Sequence, residues 1–277
     1  MSKFNDKEID KALDSIDKIN PFATYLEDST LSRVGGWIDT GSYVLNAIVS
    51  GSIHGGIPKG RVTMMGGESM TGKTLFVLKI LANAQKEGLI PVIFDTENAV
   101  DPEGAERIGL DISKVKYVPC ITIEQTRNAL FKFLTAVKEK GLEGKFIIAI
   151  DSLGNLQSEL EHSRMGKDSM SSDMGTKARA MKSLMQTCTN LGATTQTTIL
   201  CTNHVYDDPT AMFPSIEKNM PGGKSIIYLP SVTIQLARKP MKSDGGKTMD
   251  AETAVGQKNY AGILIRALTR KNRFIKQ

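Results

Sequence analysis

Gly67-Glu68-Ser69-Met70-Thr71-Gly72-Lys73-Thr74 fits the pattern G-x-x-x-x-G-K-[ST], a loop whose backbone N–H groups cradle phosphate oxygens. Its flanks decide the fold. A strand-like run, Arg61–Met65, enters the loop and a helix-like run, Leu75–Lys86, leaves it. That order is required, because the loop amides and the positive end of the helix must converge on one anion. Lys73 would then reach the β- and γ-phosphates of a nucleotide, and the Thr74 hydroxyl would ligate Mg²⁺.

Outward from the loop the alternation continues. Strands are expected at Ile90–Phe94, Phe146–Ile150, Thr197–Thr202, Val232–Ala237 and Ile263–Leu268, and helices at Glu124–Lys138 and Met174–Asn190. The unbroken apolar run Phe146-Ile147-Ile148-Ala149-Ile150 reads as a strand covered on both faces. The pattern predicts an α/β fold with a mainly parallel central sheet flanked by helices. Gln157–Ser172 and Val205–Pro221 fit neither period. Each follows a strand that would end at the nucleotide, where ligands of such folds bind, so both are read as functional loops.

The chain has 277 residues and a mass of 30.2 kDa, with 40% hydrophobic and 23% charged residues, as in soluble globular proteins. No apolar run approaches the ~18 residues of a membrane helix, and the polar start, Met1 to Asp6, does not read as a secretory signal. Cys120, Cys188 and Cys201 are scattered and odd in number, and read as buried or free thiols in a reducing compartment. His54, His162 and His204 lack metal-type spacing. A net charge of +5 and a pI near 9.0 suit a polyanionic partner. Residues 1–36 read as a short amphipathic helix (Asp6–Ile19, capped by Asn5) and a linker, and 37–277 as the core. Ile9, Leu13 and Ile16 share a helix face that either packs on its own domain or docks on a neighbouring subunit.

A phosphate loop needs acidic partners. Asp151, ending the Phe146–Ile150 strand, is placed to hold the Mg²⁺ shell. Strand Ile90–Phe94 runs into Asp95-Thr96-Glu97, and Glu97 is the candidate base or water-orienting residue, since strand alternation turns Asp95 away. His204 ends the next strand, either touching the γ-phosphate or serving as a structural histidine.

Several stretches together resemble RecA-type recombinases, most closely the phage UvsX-like branch. Ile38-Asp39-Thr40-Gly41-Ser42 and Gly56-Ile57-Pro58-Lys59-Gly60-Arg61 resemble the approach to the family's phosphate loop. Phe94-Asp95-Thr96-Glu97-Asn98-Ala99-Val100-Asp101-Pro102 resembles its catalytic-glutamate segment, and Ile148-Ala149-Ile150-Asp151-Ser152 its second acidic motif. Met174 to Arg179 resembles the helix start after the first DNA loop, and Pro221-Gly222-Gly223-Lys224 the closure of the second. Asn203-His204 stands where the UvsX-like branch has Asn-His and bacterial members have Asn-Gln.

The resemblance implies an ATP- and Mg²⁺-dependent DNA-stimulated ATPase that forms helical filaments on single-stranded DNA and exchanges strands with a duplex. It places the catalytic role on Glu97 and Lys73, brings Asp101 and His204 to the nucleotide, and makes Lys271 and Arg273 cations for the adjacent subunit's nucleotide. It turns the two long loops toward DNA, with Arg164, Lys167, Lys218, Gly222, Gly223 and Lys224 near phosphates and Met165 or Phe213 against bases. It also implies a cytoplasmic location, the host bacterial cytoplasm if phage-encoded, and no membrane partner. This chain departs from the pattern at Gly104, where an adenine-stacking tyrosine stands in bacterial members. Pro21-Phe22-Ala23-Thr24 does not match the Phe-x-x-Ala motif of eukaryotic relatives, and family members continue past the position of Gln277. Two other readings fit parts of the pattern: a ring-shaped helicase core of the same fold, and a short regulatory ATP-binding relative.

Overall fold

In the computed structural model the alternating strands and helices form one sheet with helices on both faces. The structure describes residues 7–29, 31–164, 174–207, 215–239 and 263–275. In chain order the elements are α1 (Lys7–Asp17), β1 (Trp37–Ile38), α2 (Tyr43–Ser50), β2 (Ile57–Pro58), β3 (Val62–Gly67), α3 (Lys73–Lys86), β4 (Ile90–Asp95) and α4 (Pro102–Ile108). They continue with β5 (Lys116–Pro119), α5 (Ile123–Glu139), β6 (Phe146–Asp151), α6 (Glu159–Ser163), α7 (Met174–Thr194), β7 (Thr198–Asn203), α8 (Ser225–Tyr228), β8 (Val232–Lys239) and β9 (Leu264–Asn272). A two-stranded ribbon, β1–β2, precedes a seven-stranded sheet of order β5-β4-β6-β7-β3-β8-β9. Its pairings are parallel except β8–β9.

The sheet separates two apolar cores. Ile147 and Ala149 of β6 join Ile80 and Leu81 of α3 on one face. Ile148 and Ile150 join Leu130 and Leu134 of α5 and Met181 and Leu184 of α7 on the other. Successive β6 residues therefore alternate between two buried environments, which is why the run looks continuously apolar. Each such side chain contributes about 1.5–3 kcal/mol by leaving water, so the strand carrying Asp151 is held from both sides.

Each strand at the site runs one or two residues past its expected end, so Gly67, Asp95, Asp151 and Asn203 are terminal strand residues on one edge of the sheet. The β5 strand was not anticipated. It lies at the sheet edge with mostly exposed residues, so it carries no apolar run to read. The β9 strand extends to Asn272, which puts Lys271 within the pairing.

Helix α1 forms without burying any of its residues, and Ile9 and Ile16 are 45% and 53% exposed. Packing on its own chain does not cover this face among the described residues; the capping position Asn5 lies outside them. The first long stretch opens with a Thr122–Gln157 bridge and α6, which Ser158 and Glu161 start with a reciprocal capping box. A Tyr206–Asn219 bridge closes the base of the second. Met165, Lys167 and Phe213 lie outside the described residues.

Candidate nucleotide-binding and catalytic site

The phosphate loop joins β3 to α3 through residues that tolerate its geometry. Gly72 has φ 82° in the left-handed region, and a Cβ on Gly67 would come within 2.5 Å of Thr71 Oγ1. Helix α3 starts at Lys73 with no side-chain cap, so its first amides face the loop mouth. Thr71 Oγ1 donates to the Glu68 carbonyl at 2.8 Å, and Lys73 Nζ donates to the Gly67 and Glu68 carbonyls at 2.9 and 2.8 Å. Burial lowers the Lys73 pKa, while Asp151 and Glu97 act to raise it.

Asp151 is gripped from two sides. Thr74 Oγ1 donates to its Oδ2 at 2.7 Å, and Thr202 Oγ1 donates to its Oδ1 at 2.5 Å. The β6–β7 register, Ile150 opposite Cys201, sets Asp151 beside Thr202. Burial raises the Asp151 pKa against the pull of both hydroxyls, and Glu97 and Asp95 raise it further by repulsion. A cation would relieve that repulsion. Mg²⁺ takes hard oxygen ligands, commonly one or two carboxylates plus substrate phosphates. The Thr74 hydroxyl and the Asp151 carboxylate fit that chemistry. Among the described residues no group of three or more His, Cys, Asp or Glu could hold a metal by itself, so phosphate oxygens would complete the shell.

Glu97 is held by three strand ends. Asp95, 1% exposed, accepts the backbone N–H groups of Glu97 and Asn98 at 2.9 Å each, and Tyr117 donates its hydroxyl to Asp95 at 3.1 Å. Asp95 thus fixes the turn and leaves the site to Glu97. Ser152 Oγ donates to Glu97 Oε1 at 2.6 Å, and His204 Nε2 lies 3.1 Å from the same oxygen. Ser152 is itself locked to Thr96: its N–H donates to Thr96 Oγ1 at 2.9 Å and its C=O accepts from that hydroxyl at 2.8 Å. Gly154 leaves room for the histidine, since a Cβ there would approach His204 Cδ2 to 3.0 Å and Asn203 Oδ1 to 2.9 Å. Ser152, Thr96 and Thr202 were not foreseen. Only strand register reveals their place, because serine and threonine at strand ends are otherwise unremarkable.

The remaining expected site residues are spread more widely. Asp101 caps α4, accepting from Glu103 N and Gly104 N. Arg164 follows α6 as its C-cap. The Asn203 amide donates to the Pro221 carbonyl at 3.0 Å, joining the β7 end to the far limb of the second long loop. Gly222 and Gly223 have φ of 99° and 81°, and a Cβ on Gly222 would meet Met181 and Ile226, so that turn demands glycine. Lys224, exposed, precedes α8. The Lys218 ammonium, expected near DNA phosphates, lies between the carboxylates of Glu68 and Asp207 in this chain. The cause is proximity, since the return limb of the loop passes beside the phosphate loop.

Lys271 and Arg273 stand away from this chain's own phosphate loop. Lys271 pairs with Thr233, itself opposite Met64, and Arg273 N donates to the Ser231 carbonyl, while Ser231 N donates to that of Val62. Both cations therefore lie toward the entry end of β3, whereas the loop leaves its exit end at Gly67. At ~3.3 Å per residue the two ends of β3 are about 16 Å apart. Lys271 Nζ donates to the carbonyls of Tyr228 and Pro230, and burial followed by the Arg273 charge lowers its pKa to about 8.

The RecA N-terminal domain matches residues 7–263. Over 254 residues the chain is 34% identical to Protein RecA of Frankia alni, covering 90% of this chain and 69% of that one. Over 253 residues it is 30% identical to Protein RecA of Chlorobium chlorochromatii, covering 90% and 67%. With Protein RecA of Chlorobaculum parvum it shares 32% over 231 residues, or 83% and 62%. The chain spans about two thirds of the length of these relatives. With the phosphate loop, the acidic strand ends and the sheet around them inside the matched region, the chain belongs to the RecA family.

Proposed function

We propose that this RecA-type recombination protein is a DNA-stimulated ATPase that polymerises head to tail on single-stranded DNA and pairs that strand with a homologous duplex. One observation carries the reading. Glu97, Ser152 and His204 meet at one carboxylate oxygen, and both long loops leave the sheet from that same edge, after β6 and after β7. DNA on those loops and phosphate at Glu97 would act on the same strand ends. Lys73 and the loop from Gly67 to Thr74 bind the phosphates, Asp101 and His204 flank them, and Glu97 orients or deprotonates the attacking water. Mg²⁺, held by Thr74 and Asp151, would neutralise phosphate charge.

Because Lys271 and Arg273 sit near the far end of β3, they serve the next subunit's nucleotide in this reading. Residues 1–36, with the uncovered face of α1, are the polymerisation segment, and 37–277 the ATPase and DNA-binding core. Arg164, Lys167, Phe213, Gly222, Gly223 and Lys224 line the DNA path without reading base identity. Asn203-His204 favours the UvsX-like branch. Among the described residues no helix is long and apolar enough to cross a membrane, and the buried free cysteines suit a cytoplasmic location.

The test is ATP turnover with and without single-stranded DNA over a range of protein concentrations. Turnover should rise steeply with DNA and with concentration, and Lys73→Ala should remove it, by about 10²–10³-fold or more. Activity indifferent to DNA would overturn the reading.

A further inference from the structure

We infer that Lys218 is a positioning residue that ties the phosphate loop to the second long loop, so that nucleotide and DNA act on one shared ion cluster. The inference rests on the nucleotide- and DNA-binding reading above. Lys218 Nζ is paired with the Glu68 carboxylate inside the phosphate loop, and with Asp207 Oδ2 at 3.1 Å on the outgoing limb of the long loop. Its backbone is fixed as well. The Lys218 N–H donates to Oε1 of buried Gln235 at 2.9 Å, and its carbonyl accepts from Arg270 at 2.7 Å. Arg270 also donates to Gln235 Oε1 at 3.0 Å and pairs with Glu217 at 2.9 Å. Gln235 Nε2 in turn donates to the Ile216 carbonyl at 2.8 Å. Residues 216–218 are therefore fastened to β8 and β9, and the Lys218 side chain reaches across to Glu68 of the phosphate loop.

Exposed ion pairs usually achieve little, because two flexible side chains must be ordered for a screened attraction. The Glu68 and Asp207 side chains are 47% and 71% exposed, so these pairs are weak enough for a bound anion to displace, while the ordering cost on the lysine side is small. The Lys218 side chain is 21% exposed, and the backbone beneath it is already immobilised, so less freedom remains to be lost. The Glu68 contact raises its pKa above the ordinary lysine value, as expected of an ammonium held by a carboxylate. A triphosphate in the loop adds several negative charges beside Glu68 and competes for the same ammonium. As Lys218 turns toward the phosphates its hold on Asp207 loosens, and the limb Val205–Asp207, which follows His204, becomes free to respond to DNA. Linkage requires the reverse as well: DNA that moves this limb changes nucleotide affinity by the same factor.

The experiment measures affinity for a labelled oligonucleotide with a non-hydrolysable ATP analogue and without nucleotide, using the full chain. The readout is the ratio of the two dissociation constants in wild type, Lys218→Met, Glu68→Gln and the double variant. Lys218→Met should shrink that ratio by about tenfold, and the double variant should lose no more than the more affected single variant. Glu68→Gln supplies an independent route should Lys218→Met fold poorly. Equal weakening in both nucleotide states, with the salt slope reduced by about one, would make Lys218 an ordinary phosphate contact and overturn the inference. Additive losses in the double variant would also overturn it. A wild-type ratio of one would instead bring down the ATP-dependent DNA-binding reading itself.

Discussion

At the exit end of β3, opposite charges and hydroxyls answer one another within a single chain: Lys73 sits among carbonyls near Asp151 and Glu97, and Thr74, Thr202 and Ser152 satisfy the two carboxylates. Toward the entry end, cations crowd together. Arg61 donates to the carbonyls of Leu31 and Arg33, Lys271 to those of Tyr228 and Pro230, and burial, followed by the Arg273 charge, lowers the pKa of both. Arg61 and Arg273 line one cavity of about 420 Å³ whose described lining contains no carboxylate. A site whose polar groups are matched internally is preorganised before anything binds. Among the described residues, the Arg61 and Lys271 cations meet carbonyl oxygens, an arrangement open to an anionic complement. The contrast suits a head-to-tail polymer, in which the anionic half-site of one subunit meets the cationic half-site of the next.

The largest expected effect comes from breaking the cationic half. Cations supplied in trans to a γ-phosphate are worth about 10³–10⁵ in rate in other NTPases, and Lys271→Ala with Arg273→Ala should lower DNA-stimulated turnover on that scale. Glu97→Gln removes the proposed base from the anionic half and should cost about 10²–10⁴. Mixing the two dead variants sharpens the comparison. Where halves from different subunits form each site, a one-to-one mixture restores turnover at about a quarter of the interfaces of a head-to-tail polymer. Cations acting on their own subunit's nucleotide would leave the mixture inactive.

A smaller effect follows from pH. The Lys271 ammonium carries its charge below about pH 8 and loses it above, because burial and Arg273 depress the pKa from 10.5. At limiting protein concentration, turnover should therefore fall as pH rises through about 8, by up to about tenfold per unit. Lys271→Arg should carry activity to higher pH, since guanidinium stays protonated. Stability moves the other way. Between about 8 and 10.5 the unfolded chain holds the proton that the folded one has released, so folding becomes more favourable with pH. Thermal unfolding over the same range separates lost chemistry from lost structure, and a pH-independent rate would remove Lys271 from the assembly step.

The two ends of β3 also differ in how openly they can be read. The phosphate loop is contiguous, and its glycines and lysine announce their roles because backbone geometry and charge are local matters. Phe146–Ile150 is equally plain, since burial on both faces leaves nothing but apolar residues. Strand alternation alone would put Asp95 and Glu97 on one face; what separates them is the turn after β4, which Asp95 fixes by accepting the N–H groups of Glu97 and Asn98. Ser152, Thr202 and the Glu68–Lys218 contact depend on which strands become neighbours and in what register, and a one-residue slip would reverse every assignment. Lys218 looks like any loop lysine until Gln235 and Arg270 are seen beneath it. The α1 face was readable as apolar, and among the described residues nothing buries it.

The smallest of the expected effects probes how the anionic half is positioned. Ser152 Oγ gives its proton to Glu97 Oε1 at 2.6 Å, while His204 Nε2 approaches the same oxygen at 3.1 Å. A hydrogen bond to a carboxylate stabilises the charged form and fixes the carboxylate plane. Removing it by Ser152→Ala leaves Glu97 present but less well held. The loss should be about tenfold or less, the worth of one charge-assisted hydrogen bond of about 1.5–3 kcal/mol partly recovered from His204 or water. Because the base is present but misaligned, Ser152→Ala should lower kcat and leave the KM for ATP and the melting temperature unchanged. Ser152→Thr, which keeps the hydroxyl, should restore kcat where the added methyl is tolerated. A serine that merely supported the turn at Thr96 would instead lower the melting temperature along with kcat. The separation of kcat from stability, more than the size of the loss, thus tells whether the third strand end acts on the base or only on the fold beneath it.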